Sequence, residues 1–91
     1  MLYIVSYDIV KDKQRTKLAK QLSNFGSRVQ FSVFECDLDK DQYKDMINKI
    51  LKLIDKKKDS VRIYQLCQNC VAEIVSYGIK KGWEEKDVIV V

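Results

Sequence analysis

The chain contains no histidine and no proline, and its 91 residues include only three glycines, three cysteines and one tryptophan. Without histidine there is no imidazole to act as general base or metal ligand. Without proline, a low-complexity tract or an internal repeat, nothing marks a linker, and a chain of this length makes one small domain. Three glycines are too few for the Gly-rich loop of a small-molecule-sensing regulator. No apolar stretch approaches about 18 residues, so no membrane span is expected. The first residues already follow a strand pattern, so no signal peptide is expected either. A soluble, cytoplasmic protein is the expectation.

At 46% hydrophobic and 33% charged, the composition is that of a globular chain. The net charge of +4 and a pI near 9.0 favour an anionic partner, nucleic acid or a membrane surface. Fourteen of the seventeen cations are lysine, many on predicted helix faces, and a solubilising surface accounts for them equally well. Cys36, Cys67 and Cys70 suit a reducing compartment. Cys67-x-x-Cys70 looks like half of a structural zinc site, but such a site needs about four ligands and the chain offers only one further cysteine and no histidine. The pair follows a predicted strand, which leaves a redox role open. Small apolar filling is the favoured reading of all three.

The first hydrophobic run, Leu2-Tyr3-Ile4-Val5-Ser6-Tyr7-Asp8-Ile9, is β-branched and aromatic and has the length of a strand. Asp8 falls where that strand leaves its sheet. A carboxylate there must reach water, pair with a cation such as Arg15 or Arg28, or bind a metal, because burying it unpaired is costly. With Asp12, Lys13 and Arg15 just behind it in a basic protein, the pattern points to metal-assisted work on phosphates.

Leu18, Leu22 and Phe25 mark one face of a helix beginning near Asp12, which is placed to cap it, and Gly26 suits a left-handed stop. Arg28 to Leu38 has a period near two and reads as one bent strand or two short ones hinged at Phe31 and Ser32. Asp39 or Asp41 opens a second helix with the apolar stripe Tyr43, Ile47, Ile50, Leu51 and Ile54. Lys56-Lys57-Lys58-Asp59 is a charged turn, and Ser60 to Leu66 is another strand. Ala72 to Tyr77 reads as a short strand ending at Gly78, and Asp87 to Val91 as a last strand. The order is β-α-β-β-α-β with additional strands, a ferredoxin-like arrangement.

The first strand is apolar on both faces, and two helices cover only one face of such a sheet. A domain of this size is also marginal alone. A second copy of the chain is the simplest cover, and a tail strand ending in Val88-Ile89-Val90-Val91 is safest paired. A two-fold homodimer is therefore expected.

Three features stand together: Tyr7-Asp8 closing the first strand, Arg15 on the helix behind it, and Gly26 ahead of Arg28-Val29-Gln30 and Ser32-Val33-Phe34-Glu35. With Asp59-Ser60-Val61-Arg62-Ile63-Tyr64 and Leu66, they resemble the CRISPR-associated endoribonuclease family, the second, small core protein of CRISPR adaptation. The similarity spans nearly the whole chain. It implies an α+β, ferredoxin-like βαββαβ fold with an additional C-terminal strand, in a homodimer. Residues 1–78 would form the core, and residues 79–91 a turn and strand docking on the partner subunit. The resemblance also implies a scaffold holding a short DNA duplex between pairs of the CRISPR integrase, and a metal-dependent nuclease acting on single-stranded RNA or duplex DNA.

By the same resemblance the metal-binding aspartate falls on Asp8, and residues affecting cleavage fall on Tyr7, Arg15, Arg28 and Phe34. A helix position that is basic in relatives is Lys17, which lacks the forked phosphate contact of arginine. The ion implied is Mg2+, with Mn2+ as the alternative, because magnesium takes oxygen ligands and keeps several waters. Arg62 and Glu35 are set aside as structural partners. Tyr7 and Phe34 read as core aromatics at the dimer face in preference to base-stacking platforms. A non-catalytic duplex-binding dimer that only bridges the integrase is the alternative function.

Overall fold

Alternation decides the first strand. Tyr3, Val5 and Tyr7 are buried, Ile4 and Ser6 half-buried and Asp8 exposed along β1 (Leu2–Asp8). Odd-numbered side chains enter the core and even-numbered ones face away from it. The computed structural model describes residues 1–78. After β1 come α1 (Asp12–Leu22), β2 (Ser27–Gln30), β3 (Val33–Asp37), α2 (Lys40–Leu53), β4 (Ser60–Leu66) and α3 (Gln68–Ala72). The strands form one antiparallel sheet in the order β2-β3-β1-β4. This is the expected ferredoxin-like α+β arrangement.

Both long helices cover the same sheet face. Leu18, Ala19 and Leu22 of α1 and Met46 and Ile50 of α2 join Tyr3, Val5, Tyr7, Phe34 and Cys36 in one core. Tyr3 stacks on Tyr43 of α2 with ring centroids 4.4 Å apart. No polar or charged side chain is buried among the described residues. The other face carries Ile4, Ser6, Val33, Glu35, Arg62 and Tyr64, and neither α1 nor α2 covers it. Leu2 shares that face. It is buried yet separate from the core, beside Leu66 and Val71 where the chain turns into α3.

Residues 28–38 resolve into two strands with a turn at Phe31 and Ser32, and a register shift lies between Arg28 and Gln30. The second helix opens at Asp39 in a full capping box: Asp39 Oδ1 accepts from the Gln42 amide at 2.8 Å, and Gln42 Oε1 accepts from the Asp39 amide at 2.9 Å.

Several local expectations are corrected. The N-cap of α1 is Lys11, without a side-chain cap; Asp12 begins the first turn, and its carboxylate lies 2.7 Å from the Arg15 guanidinium. Gly26 is not in the left-handed region, which among the glycines described only Gly78 occupies. A methyl at Gly26 would collide with the Glu35 carbonyl oxygen and lie 2.8 Å from Cys36 Cα, so close backbone approach is what requires glycine. In α2 the fully buried residue is Met46, whereas Leu51 is 47% exposed.

Residues 74–77 form no strand. Val71, Ile74 and Val75 are spaced i, i+3, i+4, a pattern that suits a helical turn as well as a strand. The chain spends Gln68–Ala72 on α3 and leaves the sheet edge. The expected strand at 87–91 and its docking on a partner lie outside the described residues.

Candidate functional site

Tyr7 and Asp8 are neighbours in sequence and belong to opposite faces of the sheet. Tyr7 points into the core, where its ring stacks at 6.3 Å on Phe34, and its hydroxyl reaches the Phe31 carbonyl at 3.4 Å. Phe34 is 1% exposed. Arg28 lies across the β2–β3 ladder from Phe34, and its guanidinium carbon sits 5.4 Å from that ring centroid. This cation–π contact orients Arg28 while leaving it exposed. Arg15 leans back from α1: its Nε and one terminal nitrogen donate to the Ile9 carbonyl at 3.3 and 3.2 Å, and the other terminal nitrogen meets Asp12. The guanidinium thus ties the exit of β1 to the first turn of α1.

These residues converge on a shallow groove of about 610 Å³ between α1 and the β2–β3 turn, lined by Tyr7, Arg15, Lys20, Ser23, Arg28 and Phe31 among others. It holds three cations and no carboxylate among its lining residues. Phe31, 69% exposed, forms its rim. An open, cationic groove with an exposed aromatic at its edge matches an extended polyanion with planar bases. Lys20 and Phe31 are the members that the sequence did not single out. Phe31 was legible only as the hinge of a strand pair, although an aromatic at the tip of a turn has no core to enter. Phe34 lies beneath the groove, where it can hold Arg28 and Tyr7 in place but cannot touch a bound chain. Lys17 is exposed on α1 and is not among the groove residues.

Asp8 is outside this groove. It ends β1 opposite Ser60, on the face shared with Ser6 and Arg62. Its carboxylate is exposed and makes no hydrogen bond or ion pair among the described residues. The salt bridge to Arg15 or Arg28, one of the fates open to it in the sequence, does not form, because Arg15 is engaged by Asp12 and Arg28 lies over Phe34. The cation closest in register is instead Arg62, directly across from Ser6, with a terminal nitrogen 3.3 Å from the Tyr64 hydroxyl.

The exit of β1 is fixed from the turn between α2 and β4. Asp59 Oδ1 accepts from the Val10 amide at 2.9 Å, and Asp59 Oδ2 accepts from the Asp55 amide at 2.8 Å. The Asp55 amide first and the Val10 amide second hold the Asp59 carboxyl below its ordinary pKa.

An oxygen-ligating divalent cation fits Asp8 by donor chemistry, since a free, solvated carboxylate is what magnesium takes while retaining waters. No group of three or more Cys, Asp or Glu side chains is assembled as a metal site among the described residues. No helix among the described residues is long and apolar enough to cross a membrane.

Comparison with known proteins gives the family. Residues 1–74 match the family model described as CRISPR associated protein Cas2. The chain is 46% identical over 79 residues to a CRISPR-associated endoribonuclease Cas2 of Chloroflexus aurantiacus, covering 87% of this chain and 85% of the relative. It is 36% identical over 95 residues to the CRISPR-associated endonuclease Cas2 of Halalkalibacterium halodurans, covering 99% of each. The crystal structure of Streptococcus pyogenes Cas2 superposes with a TM-score of 0.75 at 32% identity, covering 86% of this chain and all of that one. The chain belongs to the Cas2 family of CRISPR-associated proteins.

Proposed function

We propose that this protein is a nuclease of CRISPR adaptation that cleaves phosphodiesters with a divalent ion held by Asp8, and that it also binds duplex DNA as a homodimer bridging subunits of the CRISPR integrase. The observation that carries the catalytic reading is the state of Asp8: exposed, unpaired among the described residues, and fixed in position by the Asp59 clamp on Val10. The names of the relatives support the reaction class: one is called an endoribonuclease, another an endonuclease.

The dimer follows from the uncovered sheet face. Ile4, Val33 and the 49%-exposed Tyr64 form an apolar strip there, and a second copy packed on it by a two-fold axis buries the strip on both chains. Asp8 is on that same face at the end of its strand, so the symmetry brings two carboxylates toward one site and completes what one chain leaves incomplete.

The chemistry a bound Mg2+ or Mn2+ supplies is activation of water and neutralisation of charge on the scissile phosphate. The protein residues do the rest. Asp8 orients the ion. Arg62, on the same face, is placed to take phosphate oxygens beside the reacting group. With no histidine in the chain, no imidazole competes for the role of base. Arg15, Lys20 and Arg28 hold the polynucleotide backbone on the far side of the sheet edge. Tyr7 and Phe34 keep that groove in shape from below.

The test compares wild type with Asp8→Asn on labelled single-stranded RNA and duplex DNA in Mg2+. Cleavage should fall at least about a hundredfold, with duplex affinity unchanged. Equal cleavage by both proteins would remove Asp8 from the mechanism.

A second reading rests on a separate observation. The cationic groove and Asp8 lie on different faces, so backbone binding does not depend on the carboxylate. A purely bridging dimer would then assemble with the CRISPR integrase and a labelled duplex equally well as wild type and as Asp8→Asn, with no cleavage by either.

A further inference from the structure

Cys67 and Cys70 do not fill space. Both are exposed, against the apolar packing that their residue type favours, whereas Cys36 is fully buried. Their sulfurs lie 3.5 Å apart, Cys67 at the N-cap of α3 just after β4 and Cys70 inside the single turn and a half of α3. Two accessible thiols at that separation, three residues apart where a strand passes into a helix, need only a small rotation about their side-chain bonds to join. A zinc site is the weaker match: no third Cys, Asp or Glu completes a cluster with them among the described residues.

We infer that Cys67 and Cys70 form a reversible dithiol–disulfide site, with Cys67 the attacking thiol, Cys70 the resolving thiol and low-molecular-weight disulfides of the glutathione class the oxidant. The Cys67 thiolate attacks one sulfur of the oxidant, forming a mixed disulfide and releasing one thiolate. The Cys70 thiolate then attacks Cys67 Sγ, closing the intramolecular bond and releasing the second. Two protons leave the protein thiols and end on the two released thiols. The protein pair loses two electrons and the oxidant gains them.

The surroundings of the two sulfurs agree with this division of labour. The Cys67 pKa is lowered, first by the Cys70 backbone N–H, which approaches without closing a cap hydrogen bond, and then by the Cys70 thiol. The Cys70 pKa is raised, first by that same thiol contact. Cys36, pushed up to about 11 by burial and then by the Glu35 charge, is inert beside them. The oxidised site ties the N-cap of α3 to Cys70 within the helix, next to the cleft where Met1, Leu2, Leu66 and Val71 meet. None of this depends on the nuclease reading.

The full-length protein is equilibrated with mixtures of reduced and oxidised glutathione, and native thiols are then trapped with iodoacetamide for intact-mass analysis. Wild type should lose two titratable thiols as one intramolecular disulfide, with Cys36 alkylated only after unfolding. Cys70→Ser should stop at a glutathione adduct on Cys67. Cys67→Ser should react with iodoacetamide at least about tenfold more slowly than Cys70→Ser. Retention of both thiols in fully oxidised glutathione overturns the inference. So does a disulfide between chains, or equal rates in the two serine variants.

Discussion

The amide of Val10 donates to Asp59 Oδ1 across 2.9 Å, joining the residue two beyond Asp8 to the turn that follows α2. Asp59 also accepts from Asp55, so one carboxylate closes the turn and anchors the end of β1. The position of Asp8 is thereby tied to a residue more than forty positions away in sequence.

That contact carries a pH signature. Hydrogen bonds from the Asp55 and Val10 amides lower the Asp59 pKa from its ordinary 3.8. A carboxyl with a lowered folded-state pKa contributes stability that is present above the unfolded-state value and lost as pH falls through the folded one. Thermal melts by circular dichroism should show the Tm of wild type falling below about pH 4. Asp59→Asn should start from a lower Tm at neutral pH and fall less steeply on acidification. Parallel profiles for the two proteins would show that the clamp does not contribute.

Gly26 should resist replacement for steric reasons alone. Its amide donates to the Leu22 carbonyl at 3.0 Å as α1 ends, and the Glu35 backbone of β3 passes where a side chain would start. Gly26→Ala should cost about 1–3 kcal/mol through overpacking, read as a shift in the urea midpoint. An asparagine, tolerated at a left-handed stop, should be worse than alanine here; the reverse order would return Gly26 to a conformational role.

The parts of the fold that were legible in the sequence are those set by period and by local hydrogen bonding. The odd-even alternation of Leu2–Asp8, the hinge at Phe31 and Ser32, and the capping box of Asp39 with Gln42 are short-range patterns, and each is present. Most of what escaped depends on neighbours distant in sequence, with Asp12 the local exception. Asp12 was a fair cap until Arg15 took its carboxylate. Gly26 matters because β3 lies against it. Met46 displaces Leu51 from the core because the orientation of α2 is set by the sheet, not by its own apolar stripe. For the candidate site, residue types and the family resemblance singled out Asp8, Arg15 and Arg28, but only strand alternation and pairing reveal that Asp8 faces away from the groove that Arg15 and Arg28 line, on the sheet face that carries Arg62.

Phe34 and Arg28 should separate stability from binding. Phe34 is almost wholly buried, packed on Tyr7 and roofed by Arg28. Phe34→Ala should cost about 3–5 kcal/mol in chemical unfolding, and its loss of nucleic-acid affinity should follow its loss of fold. Arg28→Ala removes only an exposed cation–π contact and should change stability by less than about 1 kcal/mol. Its duplex affinity should nevertheless fall at low salt. Equal affinity for Arg28→Ala and wild type would exclude the groove as a backbone site.

The groove finally predicts which lysines matter. Backbone binding releases counterions, and the slope of log affinity against log salt counts the phosphates engaged. Lys20 lines the groove beside Arg15 and Arg28, whereas Lys44 is exposed on α2 and does not line it. Lys20→Ala should lower the magnitude of the slope by about one and weaken all duplex sequences alike. Lys44→Ala should leave the slope unchanged, although both variants remove one positive charge from the same small protein. Arg15→Ala is the less clean probe, because its guanidinium also binds the Ile9 carbonyl and its loss disturbs the exit of β1. If Lys20 and Lys44 reduce the slope equally, the net charge of the chain attracts polyanions diffusely and the groove has no special claim. If only Lys20 does, the phosphate track runs between α1 and the β2–β3 turn, on the face away from Asp8. A bound strand must then pass around the sheet end to reach the carboxylate.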